Sequence, residues 1–91
     1  MKTIWKYEVP ITPIDFELEL PIGSKILSFG RQGNISAIWV LVNPKADKIK
    51  FEFRMAWTGE SIESRVGKEL EFIGTEQFGS LVCHLFLIVE G

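Results

Sequence analysis

One cysteine and one histidine in 91 residues remove most metal and nucleophile chemistry at once. A single thiol forms no intramolecular disulfide, and thiolates cannot build a structural zinc site here. Cys83 and His84 are neighbours on what reads as a strand. Their side chains therefore point to opposite faces and cannot form a dyad. Cys83 reads as a small core hydrophobe, and His84 as a half-buried residue hydrogen-bonded to a neighbour. No P-loop, GxGxxG run or nucleophile elbow is present. The glutamate pairs Glu17/Glu19 and Glu69/Glu71 lie on the wet faces of their strands. An enzyme is the weaker class, and no cofactor or metal is implied.

Long apolar runs are also missing: none approaches the ~20 residues of a membrane span. The opening Met1 to Tyr7 carries charges and aromatics where a signal peptide needs an apolar stretch. A cytosolic protein is expected. Basic blocks are absent too, since ten Lys+Arg against twelve Asp+Glu are interleaved to a net charge of −2. Duplex nucleic acid, which rewards dense positive charge, is not expected as a partner.

What the chain does have is apolar alternation. It is 46% hydrophobic and 12% aromatic, and the period is two almost throughout. Trp5, Tyr7 and Val9 share a face opposite Lys6 and Glu8, and Asp15 to Leu20 alternates strictly. Lys25 to Phe29 runs through a Gly33-Asn34 hairpin signal into Ile35 to Val42. Ile49, Phe51, Phe53 and Met55 oppose Lys48, Lys50, Glu52 and Arg54. Alternation lapses from Thr58 to Lys68, with room for a turn of helix around Ile62 to Val66, and resumes in Glu69 to Gln77 and Leu81 to Val89. One domain over residues 1–91 is expected, all-β: a compact seven-stranded antiparallel β-sandwich or partly open barrel with one short irregular or helical loop.

Two strands are apolar on both faces. Ile38, Val40 and Val42 lie opposite Ala37, Trp39 and Leu41; Val82, Phe86 and Ile88 lie opposite Leu81, Leu85 and Leu87. A strand of that kind expects cover on both sides. In so small a domain this favours a homo-oligomer.

Binding chemistry is better supplied than catalysis. Trp5, Trp39 and Phe86, at alternating positions, read as core. Trp57 falls where the fifth strand meets the irregular loop, so Arg54, Trp57, Thr58, Gly59 and Ser61 are expected to converge as a ring, a guanidinium, hydroxyls and backbone donors. Trp5, Tyr7 and Arg31 are second choices. Such groups hold a planar ligand by stacking and its phosphates by arginine.

Several segments carry a family likeness: Lys2-Thr3-Ile4-Trp5-Lys6-Tyr7-Glu8, Phe16 to Ser28, Ile38-Trp39-Val40-Leu41-Val42-Asn43-Pro44, Trp57-Thr58-Gly59, Phe72-Ile73-Gly74-Thr75 and Leu81 to Phe86. In this order they resemble a family of small bacteriophage and prophage proteins known as a domain of unknown function. Trp57 stands where glycine is common in that family, and Glu60 where a histidine is expected. The resemblance implies action in the host cytosol during infection. By analogy of type, it points to a non-enzymatic sponge that sequesters a cyclic nucleotide immune signal, a cyclic dinucleotide of CBASS or a cyclic ADP-ribose species of Thoeris. The alternative is a small phage module that binds a host or phage protein.

Overall fold

A computed structural model describes residues 1–63 and 65–91. Seven strands follow one another: β1 (Thr3–Glu8), β2 (Asp15–Pro21), β3 (Lys25–Gln32), β4 (Ile35–Val42), β5 (Lys48–Trp57), β6 (Lys68–Phe78) and β7 (Leu81–Glu90). All pairings are antiparallel and form two sheets, one of order β1-β4-β3 and one of order β2-β5-β7-β6. The sheets are stacked and do not close into a barrel. No helix forms among the described residues. The helical turn expected around Ile62 to Val66 is not found in the part of that span described, and Ser64 lies outside it.

Alternation decides which side chains face inward. Ile38, Val40 and Val42 of β4 meet Phe53 and Met55 of β5 and Cys83 and Leu85 of β7 in one buried cluster, joined by Leu20, Phe29 and Val9. Cross-strand partners reinforce it: Phe16 is opposite Phe53 and stacks on it at 5.2 Å with the rings 13° from parallel. Trp5 and Tyr7 pack against the same core from β1.

The edges are treated differently. β3 and β6 each carry a register shift, at Ile26/Ser28 and Phe72/Gly74, and lie against one another. Gly74 permits this: a Cβ there would stand 3.4 Å from the Cβ of Phe29. The β3–β4 hairpin turns in two residues, with φ +61° at Gly33 and an ordinary negative φ at Asn34. That is the type II′ geometry suited to strand twist.

The expected core roles of Trp39 and Phe86 need correcting. Register places Trp39 beside Lys6, on the outer face of the three-stranded sheet, where its ring leans over Gly30. Phe86 stands between Arg54 and Phe72, on the outer face of the four-stranded sheet. Both are half-buried. Their partners across β4 and β7, at the alternate positions, took the inward places.

Part of the missing cover comes from the chain itself. β5 and β6 run the same way with β7 between them, so the chain must come back along the sheet between them. Arg54 donates from Nη1 to the Glu63 carbonyl at 3.3 Å, and Arg65 reaches Glu52 at 2.8 Å. Arg54 and Glu52 both project from the outer face of β5, so Glu63 and Arg65 lie over that face. Ala56, an outward position opposite His84, is buried.

Candidate functional site

The irregular connection after β5 is held by a set of internal bonds. Arg54 faces outward and makes a two-pronged ion pair with Asp15, its partner across the β2–β5 ladder, through Nε to Oδ1 and through Nη2 to Oδ2 at 3.2 Å. The bond to Asp15 raises the guanidinium's affinity for its proton, against a smaller opposing effect of burial. With the Glu63 carbonyl on Nη1, the guanidinium is committed along the fork.

Trp57 lies on the other side of the same strand. Residues three apart on a strand point to opposite faces, so the ring packs inward while Arg54 points out. The indole N–H donates to the Ile11 carbonyl at 2.6 Å. The Trp57 backbone N–H donates to the Glu60 carboxylate at 2.7 Å, and the Glu60 N–H returns to the Trp57 carbonyl at 3.2 Å. This closes a turn around Gly59, whose φ of +93° only glycine adopts without strain.

Thr58, the residue after β5, completes a row that runs across β7 to β6. Its hydroxyl lies 2.6 Å from His84 Nε2, and the Thr75 hydroxyl 2.9 Å from His84 Nδ1. Both imidazole nitrogens are thereby occupied by hydroxyls. The two hydroxyls fix the ring's orientation, and neither ring nitrogen has a carboxylate as its partner to drive proton transfer. Cys83, one residue earlier, is buried beneath the sheet with its Sγ 3.7 Å from the Ile11 carbonyl, and burial pushes its thiol pKa up.

The expected convergence of Arg54, Trp57, Thr58, Gly59 and Ser61 is therefore only partial. Arg54 and Ser61 share a cleft of about 250 Å³ with Pro13, Ile14, Asp15, Met55, Glu60 and Ile62. Trp57 is not part of its wall, and two carboxylates are. Among the second choices, Trp5 and Tyr7 face the core from β1, and desolvation raises the Tyr7 phenol pKa. Arg31 sits at the end of β3 with its guanidinium 6.0 Å from the centre of the Phe78 ring. These three do not join the cleft.

Sequence reasoning passed over Asp15, Glu52 and Thr75 as partners, and marked Glu60 only as a departure from the family pattern. No local signal marks the first three, each one of several carboxylates or hydroxyls on a wet face, whereas Glu60 meets Trp57 locally, within one turn. Glu52 accepts from Arg65 and lies 3.9 Å from Lys68, which also bonds Glu90 at 2.6 Å. The Arg65 hydrogen bond holds the Glu52 carboxyl below the usual carboxylate range. Among the described residues no three of His, Cys, Asp and Glu come together in a way that could hold a metal ion.

On the same outer face, beyond the returning segment, Phe72 of β6 is 59% exposed. Its ring meets that of Phe86 edge-on, with centroids 5.7 Å apart. Leu70, two positions earlier on β6, extends the apolar strip.

Two stacked antiparallel sheets, an internally bonded polar row and an uncovered aromatic pair define a small β-sandwich. Residues 1–90 match the family described as a domain of unknown function, DUF7352, and the chain belongs to that family. Neither the curated proteins nor the solved structures give a match. No helix among the described residues is long and apolar enough to cross a membrane.

Proposed function

We propose that the chain is a non-enzymatic binding module whose ligand is another polypeptide, held on the outer face of β6 and β7. The observation that carries this reading is the Phe72–Phe86 pair. A phenylalanine 59% exposed, packed edge-on against a second ring on a rigid sheet, is a costly surface for a small domain to leave wet. Apolar surface of this kind marks interaction sites, and aromatic anchors dominate interface energies. The neighbouring charged and hydroxyl groups are already partnered within the chain, which suits them to holding the sheet and not to chemistry on a substrate.

The test is stoichiometric capture of one protein from bacterial lysate by the tagged chain, compared with Phe72→Ser. Serine at an exposed strand position leaves the fold intact, so far-UV circular dichroism should match. Capture lost in the variant supports the reading. Capture unaffected by the substitution removes the Phe72 face from it.

A second reading, sequestration of a cyclic nucleotide immune signal, rests on the cleft lined by Arg54 and Ser61. That cleft is about 250 Å³, below the roughly 300–1,000 Å³ of ordinary small-molecule pockets. Asp15 and Glu60 in its wall oppose phosphate, and Arg54 is already bound to Asp15. These features favour the polypeptide.

A further inference from the structure

We propose that two copies of this chain join through the free edge of β1, in one register, to form a continuous six-stranded sheet of order β3-β4-β1-β1-β4-β3. This interface is separate from the Phe72 face and does not depend on the reading above.

Four strands are edges of their sheets, and three of the four are guarded. β3 and β6 are bulged and lie against each other. On β2, Ile14 exchanges both backbone bonds with Met55, N–H to carbonyl at 3.1 Å and 2.9 Å. Even-numbered residues therefore face β5, and odd ones face the free edge. Those odd positions are Pro13, Asp15, Glu17, Glu19 and Pro21. A proline at each end removes a donor from the edge, and three carboxylates repel any second copy of β2. This is how edge strands avoid pairing.

The outward charges of β1 are of both signs, Lys6 and Glu8, so they do not repel a second copy in every register as the three carboxylates of β2 do. The Val9 N–H donates to the Ser36 carbonyl at 3.0 Å, so odd positions face β4. Ile4, Lys6 and Glu8 turn their N–H and C=O groups outward, and Lys2 immediately precedes them. Ile4 is 55% exposed. Pro10, the next outward position, ends the pairing edge.

Charge selects the register. In an antiparallel pair of β1 strands, outward residues must meet outward residues, which leaves only a few registers. A two-fold axis at Lys6 sets Lys6 against Lys6. An axis at Ile4 sets Lys2 against Lys6 twice. An axis at Trp5 instead sets Lys2 against Glu8 twice, and Ile4 against Lys6, with the two Trp5 rings facing across a non-hydrogen-bonded pair. Opposite charges directly across a pair stabilise and like charges destabilise. An axis at Tyr7 sets Lys6 against Glu8 twice but sets Ile4 against Pro10, which has no N–H to give, so it bonds fewer residues. Only the Trp5 register pairs all four outward residues, Lys2 to Glu8, without a like-charge pair. Two-fold closure also leaves no further edge for growth.

Sedimentation equilibrium on the full chain tests this, with hydrogen exchange read at Ile4 and Lys6. The wild type should dimerise, and those two amides should gain protection as concentration rises. Lys2→Glu and Glu8→Lys each turn two attractive pairs into repulsive ones and should weaken the dimer about tenfold or more. The double variant Lys2→Glu/Glu8→Lys restores opposite charges and should dimerise as the wild type does. A monomer at high micromolar concentration would overturn the proposal. So would a dimer indifferent to both single variants, or growth beyond the dimer with no rescue in the double variant. That last outcome indicates head-to-tail pairing of β1 on the acidic edge of β2. Protection at Ile4 and Lys6 only when a different polypeptide is added would also overturn it.

Discussion

Trp57 separates a packing role from a stacking role by the size of one substitution's effect. Its ring is half-buried against the core and its N–H donates to the Ile11 carbonyl at 2.6 Å. Trp57→Phe keeps most of the ring and removes the donor, at a cost of about 1 kcal/mol, the usual net worth of such a bond. Trp57→Ala removes the ring as well. Full burial would make that about 3–5 kcal/mol, and half-burial brings it to about 2–3 kcal/mol. For a chain this size a 1 kcal/mol loss lowers Tm by roughly 4–8 °C. The series should therefore step down by that amount and then by two to three times as much. Thermal and urea unfolding followed by far-UV circular dichroism give both values without relying on the fluorescence that the substitution changes. A loss under about 0.5 kcal/mol for Trp57→Ala, as for a free surface ring, would refute the packing role and return the ring to a ligand.

Three further outcomes follow from the same contacts. Phe53 is fully buried and stacked on Phe16, so Phe53→Ala should cost about 3–5 kcal/mol, a large part of the roughly 5–15 kcal/mol typical of a folded domain; urea unfolding measures it. Glu52 has its folded pKa depressed by Arg65, so its contribution is present above the ordinary carboxylate pKa and lost as pH falls through the folded value. Stability curves from pH 6 to pH 2 should show a smaller acid loss in Glu52→Gln than in the wild type. Cys83 is buried with a raised thiol pKa, so a thiol reagent at pH 8 should label it only as fast as the chain unfolds, and rapid native labelling would contradict that placement.

Strands, turns and the inward faces of strands with one polar face were legible because apolar alternation and glycine-proline punctuation are local signals. Ile35 to Val42 begins and ends where the pattern says. Trp39 and Phe86 were misplaced because both faces of β4 and β7 are apolar, so alternation alone does not say which set goes inside; neighbours on β1, β5 and β6 decide. The site was less legible for a different reason. Grouping Arg54 with Trp57 overlooked the strand continuing through Trp57, although the same period-two argument correctly separated Cys83 from His84. The placement of Glu63 and Arg65 over β5 was not legible at all. It follows from the order β2-β5-β7-β6, which depends on pairings between strands distant in sequence.

The most direct test of the account is native mass spectrometry of the purified chain with a panel of cyclic dinucleotides and cyclic ADP-ribose isomers. Because Arg54 is bound by Asp15 and Trp57 is packed inward, the account predicts that no nucleotide is retained at any oligomeric state. Selective retention of one nucleotide, released intact on denaturation and lost in Arg54→Ala, would contradict it and establish the cleft beside Arg54 as a ligand site.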